Sequence, residues 1–308
     1  MNRIFIVLIC FCCSAAYSQV KSIQEKLGYP KNAKLLIIHA DDLGVSHSEN
    51  RASIKAMEKG CVSSASIMVP CPWFPEIAAY AQSKPNADLG LHLTITSEWK
   101  NYKWGPVTPH AQVPGLVNKN GFFYSSVDSV LKNATAIEVQ EEIHNQIKRA
   151  IQFGVQPTHL DAHMGAVLYR PDFLKAYIKA GHDFRIPVFL PRQIETALKI
   201  KLDSMITEKD VVVDYVLGAE PKDFKNGMKS FYTNGIKNIK PGLTYLIIHT
   251  AYDDAEMKAV AIDHPSWGSA WRQQDFDFFS SANCSKLLKE NNIYVITWKE
   301  IRDKITRK

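Results

Sequence analysis

The sequence is short of cysteine, carries no long block of like charge, and has only one apolar run longer than a strand. Six cysteines are spread over 308 residues, and Cys10, Cys12 and Cys13 crowd its start. Without that opening stretch, Cys61, Cys71 and Cys284 remain. An odd number describes no disulfide framework, and a chain of this size can build a core without one. Cys61 and Cys71 could pair only if their geometry allows it. Lys and Arg outnumber Asp and Glu by 37 to 31, and the lysines are scattered apart from the ends at Lys286–Lys289 and Lys304–Lys308. No basic stretch alternates with aromatics, so no nucleic-acid partner is expected. The absence of internal repeats and low-complexity linkers argues against a solenoid or a string of tethered modules.

The apolar run is Ile4–Cys13, preceded by Asn2-Arg3 and followed by the small residues Ser14-Ala15-Ala16-Tyr17-Ser18. This reads as a secretory signal peptide over 1–18, cut before Gln19, leaving 19–308 as the mature domain. The run is too short for a permanent membrane span, so no transmembrane segment is expected in the mature chain. The expected location is periplasmic or extracellular. Lipid anchoring ranks lower, because small residues do not precede the early cysteines in the usual way.

With 46% hydrophobic and 22% charged residues, the remainder is an ordinary globular chain. Lys34–Ile38 fits a buried strand, Ser48–Lys59 an amphipathic helix closed by Gly60, Val62–Val69 a second strand, Pro75–Gln82 a helix and Asp88–Thr94 a third strand. That alternation predicts an α/β protein with parallel strands. Residues 97–129, rich in Trp, Pro, Gly and Phe, interrupt it and read as a loop shaping a binding cleft. Beyond them a helix is expected over Ala136–Gly154, with Ile137, Ile143, Ile147 and Ile151 as its buried stripe. Further strands are expected at Pro157–His163, Ile186–Leu190, Asp210–Leu217, Gly242–His249 and Ile293–Thr297, with helices at Pro171–Ala180 and Lys286–Glu290. This strand count predicts one closed or nearly closed barrel, with its site at the strand C-terminal ends. A doubly wound sheet would place a site similarly.

The unusual polar residues fall at those ends. Asp41-Asp42 follows the first strand, and two crowded carboxylates call for a proton or a cation; a helix cap is the competing use. His92 stands among apolar neighbours, where a hydrogen-bonded core histidine is the commoner case. In His159-Leu160-Asp161-Ala162-His163, strand alternation puts His159, Asp161 and His163 on one side. His163 is the outermost, and the other two can supply hydrogen bonds that orient the site. Two imidazoles and a carboxylate suit a divalent ion with open positions, zinc or magnesium foremost. Spacing alone leaves amide hydrolysis, phosphoester hydrolysis and a structural metal site open.

The segments His39-Ala40-Asp41-Asp42-Leu43-Gly44, Gly90-Leu91-His92-Leu93 and Pro157-Thr158-His159-Leu160-Asp161-Ala162-His163, with Gly121-Phe122-Phe123, make the chain resemble the YdjC-like carbohydrate deacetylase family from about Lys34 onward. The resemblance implies a distorted TIM-like (β/α) barrel that removes acetyl groups from N-acetylated sugars. It implies Asp41 as catalytic base and Asp42, His92 and His163 as metal ligands. It implies His249 as general acid, Asp161 as a supporting residue, and Arg272 as a residue that orients Asp41 or binds substrate. The chain departs from the family pattern at Met164-Gly165-Ala166 and Thr250-Ala251-Tyr252, which puts substrate preference in question more than the metal site. The aromatics of 97–129 could stack on sugar faces. Alternatives are another ester or phosphoester hydrolase and a non-catalytic glycan-binding protein. A homo-oligomer is compatible with the sequence.

Overall fold

The protein is described here by a computed structural model covering residues 21–308; the leader read over 1–18, with Cys10, Cys12 and Cys13, lies outside the described residues. Strand β1 (Lys34–Leu43) organises the molecule. Its period of two sends Leu36, Ile38 and Ala40 into the large core between sheet and helices, while Leu35 and Ile37 enter a second core on the opposite face. His39 and Asp41 continue along that second face. The face therefore grades from apolar to imidazole to carboxylate toward the strand's C-terminal end.

Around β1 lie β2 (Ser64–Ile67), β3 (Leu89–Leu93), β4 (Leu160–Ala162), β7 (Tyr215–Gly218), β8 (Gly242–Ile248) and β9 (Ile293–Val295). They form one parallel sheet in the order β4-β3-β2-β1-β8-β7, with β9 also pairing the start of β1. Two further strands, β5 (Leu190–Pro191) and β6 (Val212–Val213), pair only with each other. An isolated bridge from Leu160 to Val188 connects the β4 edge to them. The expected parallel α/β architecture is present, but the ring of a regular barrel is broken on this side. The strand expected over Asp210–Leu217 splits at Asp214, whose carboxylate accepts the Leu243 amide at 3.0 Å and the Arg192 guanidinium at 3.0 Å.

The helix Ala136–Gln152 starts at a capping box in which Thr135 and Glu138 each accept from the other's backbone N–H. Its buried stripe is Val139, Ile143, Ile147 and Ala150 rather than the four isoleucines expected, since Ile137 is 81% exposed and Ile151 46%. Cys61 faces Cys284 and Ser285 instead of Cys71, which is buried elsewhere. Among the described residues no helix is long and apolar enough to cross a membrane.

Candidate metal centre

Both carboxylates of Asp41-Asp42 reach one pocket because β1 is irregular where it ends. Its register against β2 shifts between Ala40 and Leu43, and Asp42 takes a positive φ of 70°. Such a bulge breaks the alternation that would have sent adjacent side chains to opposite faces. Neither aspartate caps the following helix His47–Lys59, because the Ser46 side chain does so.

Asp42 Oδ1 lies 3.4 Å from His92 Nε2 and 3.2 Å from His163 Nδ1, and the three ligand atoms fall within 4.8 Å of one another. The outer nitrogen of each ring meets another carboxylate: His92 Nδ1 is 2.8 Å from Asp161 Oδ1, and His163 Nε2 is 3.0 Å from Glu98 Oε2. A carboxylate taking the outer N–H fixes the tautomer and aims the other nitrogen inward. Asp161 Oδ2 is meanwhile held by His39 Nε2 at 2.8 Å and by the Tyr245 hydroxyl at 3.0 Å. His159 lies beneath, stacked on Trp298 with centroids 5.2 Å apart. His39, His159 and Asp161 form a second compact set, as do Asp41, His92 and Asp161. Asp161 is already engaged in both, whereas Asp42-His92-His163 does without it and keeps an unpartnered Asp42 Oδ1.

Arg272, buried on the helix Ser269–Phe279, donates from Nη2 to Asp42 Oδ2 and from Nη1 to Glu49 Oε2, each at 2.7 Å. The family resemblance implied that Arg272 orients Asp41 or binds substrate; the guanidinium contacts Asp42 rather than Asp41. Burial alone would raise Asp42, but Arg272, His163 and His249 hold its carboxyl well below the usual range. Burial pushes Glu49 well above its ordinary value, against the opposing pull of Arg272. Arg272 pulls both carboxyls down, and only Asp42 ends below its ordinary value.

His249 follows β8. Its Nε2 stands 3.9 Å from Asp41 Oδ2 and 4.0 Å from Asp42 Oδ2, and its backbone N–H donates to Asp275 Oδ2 at 2.9 Å. Burial lowers the His249 imidazole to about 4, against the pull of Asp42. Burial works against protonation of His163 too, yet Glu98 and Asp42 raise it to about 10. His39 is raised to about 9 by Asp161 and Asp41, again against burial.

These residues fit a divalent cation. Asp41 Oδ1 and Asp42 Oδ1 are buried oxygens without a hydrogen-bond partner, a costly arrangement unless positive charge compensates it. Without a metal, protons on the imidazoles supply that charge. With one, the two rings and Asp42 offer the mixed N/O donor set that zinc and similar ions accept.

All eight residues singled out from the sequence, Asp41, Asp42, His92, His159, Asp161, His163, His249 and Arg272, converge on this end of the sheet. Sequence reading passed over His39, Glu49, Glu98 and Asp275. Strand alternation from Asp41 points to His39; Glu98, in the irregular stretch after β3, carries no comparable periodic signal. The insertion's aromatics divide: Phe122 is 39% exposed, while its two tryptophans are buried. Trp99 and Trp104 are both 3% exposed, with Trp104 against His163 at 6.2 Å and Trp99 beneath Arg272 at 5.5 Å. These two indoles pack against residues of the centre.

A carbohydrate deacetylase of Thermus thermophilus is 30% identical over 287 residues, spanning 91% of this chain and 97% of the relative. A chitooligosaccharide deacetylase of Serratia marcescens is 32% identical over 135 residues, or 42% of this chain and 49% of that one. The crystal structure of a protein from Enterococcus faecalis V583 shares the fold with a TM-score of 0.72 at 20% identity, covering 87% of this chain and 99% of that protein. The profile of the YdjC-like protein family matches residues 35–290, and the chain belongs to that family.

Proposed function

We propose that the protein is a metal-dependent carbohydrate deacetylase that hydrolyses the acetamide of an N-acetylated sugar or oligosaccharide to acetate and an amino sugar. The observation that carries this reading is the orphaned Asp42 Oδ1 facing His92 Nε2 and His163 Nδ1, with Asp41 and His249 beside it. Its relatives' named activity supports the substrate class.

Asp42, His92 and His163 would hold a divalent ion, zinc or magnesium foremost. The chemistry such an ion would supply when bound is polarisation of a carbonyl and a lowered pKa for water. Asp41, two residues along the same face from His39, accepts the proton of the attacking water. His249, whose Nε2 stands 3.9 Å from Asp41 Oδ2, would relay that proton from Asp41 to the departing amine, so that no proton of its own is consumed. Arg272 keeps Asp42 ionised and oriented, while Asp161 and Glu98 hold the two imidazoles by their outer nitrogens. We further assign 1–18 as an export leader, 19–308 as the catalytic domain in a distorted TIM-like barrel, and the periplasm or exterior as its place of action.

Acetate release from a panel of N-acetylated oligosaccharides, by protein reconstituted with zinc or magnesium, tests the reading. Activity is expected in the wild type, with a loss of at least about a hundredfold in Asp41→Asn, the scale of one general base, and loss of bound metal in His92→Ala. Metal-loaded protein that releases acetate from no member of the panel overturns the assignment. Undiminished release in both variants overturns the site.

A further inference from the structure

The imidazole of His249 borders a second feature that the proposed chemistry does not use. A cavity of about 370 Å³ opens beside it, lined among others by Val216, Gly218, Ile247, Trp267 and Trp271. This is within the range of small-molecule pockets and larger than an acetyl methyl requires. Its walls are aliphatic on the β7 and β8 side and aromatic on the other.

The aromatic side is a built platform. Trp267 stacks on Trp271 with centroids 5.1 Å apart and planes 27° from parallel, and Trp271 stacks in turn on Phe224 at 5.2 Å and 24°. Trp271 is buried, whereas Trp267 is 40% exposed at the open end of the stack. Trp267 also holds a positive φ of 58°. A bulky side chain in that region is an outlier kept only where its surroundings enforce it, and such outliers gather at ligand sites. Two contacts enforce it here. Arg272 Nε donates to the Trp267 carbonyl at 2.7 Å. Gly268 permits the tight return of the chain, since a Cβ there would come within 2.2 Å of the His264 carbonyl oxygen. The guanidinium that fixes Asp42 therefore also fixes the indole.

We infer that Trp267 is a sugar-stacking residue: its exposed indole carries the pyranose ring next to the N-acetylated unit being cleaved, with the Trp267–Trp271 cavity as that neighbour's subsite. The C–H face of a pyranose is apolar and its rim is hydroxylated, which suits an aromatic floor with polar groups at the edge. The substrate class is then an oligosaccharide in preference to a single sugar. This rests on the deacetylase reading above.

Two measurements test it. The first compares kcat/KM for acetate release from N-acetylglucosamine and from its β-1,4-linked trimer, in metal-loaded wild type, Trp267→Ala and Trp267→Phe. A stacking contact of about 1.4 kcal/mol corresponds to tenfold. The trimer-over-monosaccharide preference is expected to fall about tenfold in Trp267→Ala, mainly through KM, and to survive largely in Trp267→Phe. The second is tryptophan fluorescence during titration with the trimer. Of the chain's six tryptophans, Trp73 and Trp267 are the exposed ones, so the emission should change in wild type and stay flat in Trp267→Phe. An unchanged preference in Trp267→Ala, or equal losses on both substrates, overturns the subsite; equal losses would place the ring at the acetyl group. If the wild type releases no acetate at all, the deacetylase reading fails, and the fluorescence titration alone decides whether Trp267 meets a sugar.

Discussion

Gly90→Ala places a single methyl group where two motifs cross. Gly90 lies on β3, and a Cβ built there sits 2.3 Å from His159 Cε1 and 2.5 Å from each ring nitrogen. Carbon atoms settle at about 3.5–4.0 Å, so the imidazole would have to retreat by roughly an ångström. It has no room, being fully buried, stacked on Trp298 at 5.2 Å and set edge-on to His39 at 4.9 Å. Thr158 Oγ1 also holds its Nδ1 at 3.0 Å. Overpacking of this kind costs about 1–3 kcal/mol, and stranding a buried polar group costs about 1–3 more. At about 2–4 °C per kcal/mol for a large domain, the melting temperature should fall by roughly 5–20 °C. Thermal unfolding followed by circular dichroism reads this directly. The double variant Gly90→Ala/His159→Ala supplies the control, because the methyl then occupies vacated space. Its cost should be smaller than the sum of the single costs by at least about 1 kcal/mol. A Gly90→Ala protein that melts within about 2 °C of wild type, or strictly additive costs, would refute the reasoning.

Three further outcomes are expected. Glu98→Ala frees His163 Nε2 and should weaken zinc binding about 10–100-fold in a chelator competition; unaltered affinity would remove Glu98 from the centre. Arg272→Met strips Asp42 and Glu49 of their shared cation and should cost about 3–5 kcal/mol in urea unfolding of the metal-free protein, with a smaller loss once Glu49→Gln is added; wild-type stability in the single variant would contradict the ion-pair geometry. Burial raises Asp275 from 3.8 to about 7, against the His249 amide and Tyr232 hydroxyl. Between those pH values the folded state binds the extra proton, so Asp275 costs nothing below about pH 4, increasingly destabilises as pH rises, and does so fully above about pH 7. At 1.36 kcal/mol per unit the penalty is at most about 4 kcal/mol, and Asp275→Asn should gain on wild type by up to that amount between pH 4 and 8, whereas parallel stability–pH curves would exclude the raised carboxyl.

The parts of this architecture that follow a short period were legible in the sequence, and those that depend on a local break were not. Alternation along Lys34–Asp41 and His159–His163 gives the correct inward faces, because a buried strand repeats every two residues. On the helix Ala136–Gln152 angle governs burial more than residue identity: six residues at about 100° each leave Ile137 roughly a third of a turn from Ile143. The bulge at Asp42 has no such signature, since aspartate at positive φ looks in sequence like aspartate anywhere. Asp214 likewise interrupts a run of strand formers by competing, through its own carboxylate, for the Leu243 amide. Glu98 comes from an irregular segment, so only the folded chain reveals that it meets His163.

The charge balance ties these pieces together. Asp41, Asp42, Glu49, Glu98 and Asp161 all turn toward one buried end of the sheet, and Arg272 is a single guanidinium among them. Burial pushes Glu49 above its ordinary value, against the pull of Arg272, a shift in the direction that relieves the imbalance. The rest must be met by imidazolium or by a metal ion, and the two are exclusive at His92 and His163, because a nitrogen that binds a cation cannot keep its proton. Arg272 sits at the junction of both demands. It keeps Asp42 available as an anion, and its third contact, from Nε to the Trp267 carbonyl, fixes the strained turn that presents the indole. A lysine could supply the charge but not three divergent donors in one plane. The fork geometry of this one side chain is therefore what sets the position of the proposed sugar platform relative to the candidate metal ligands.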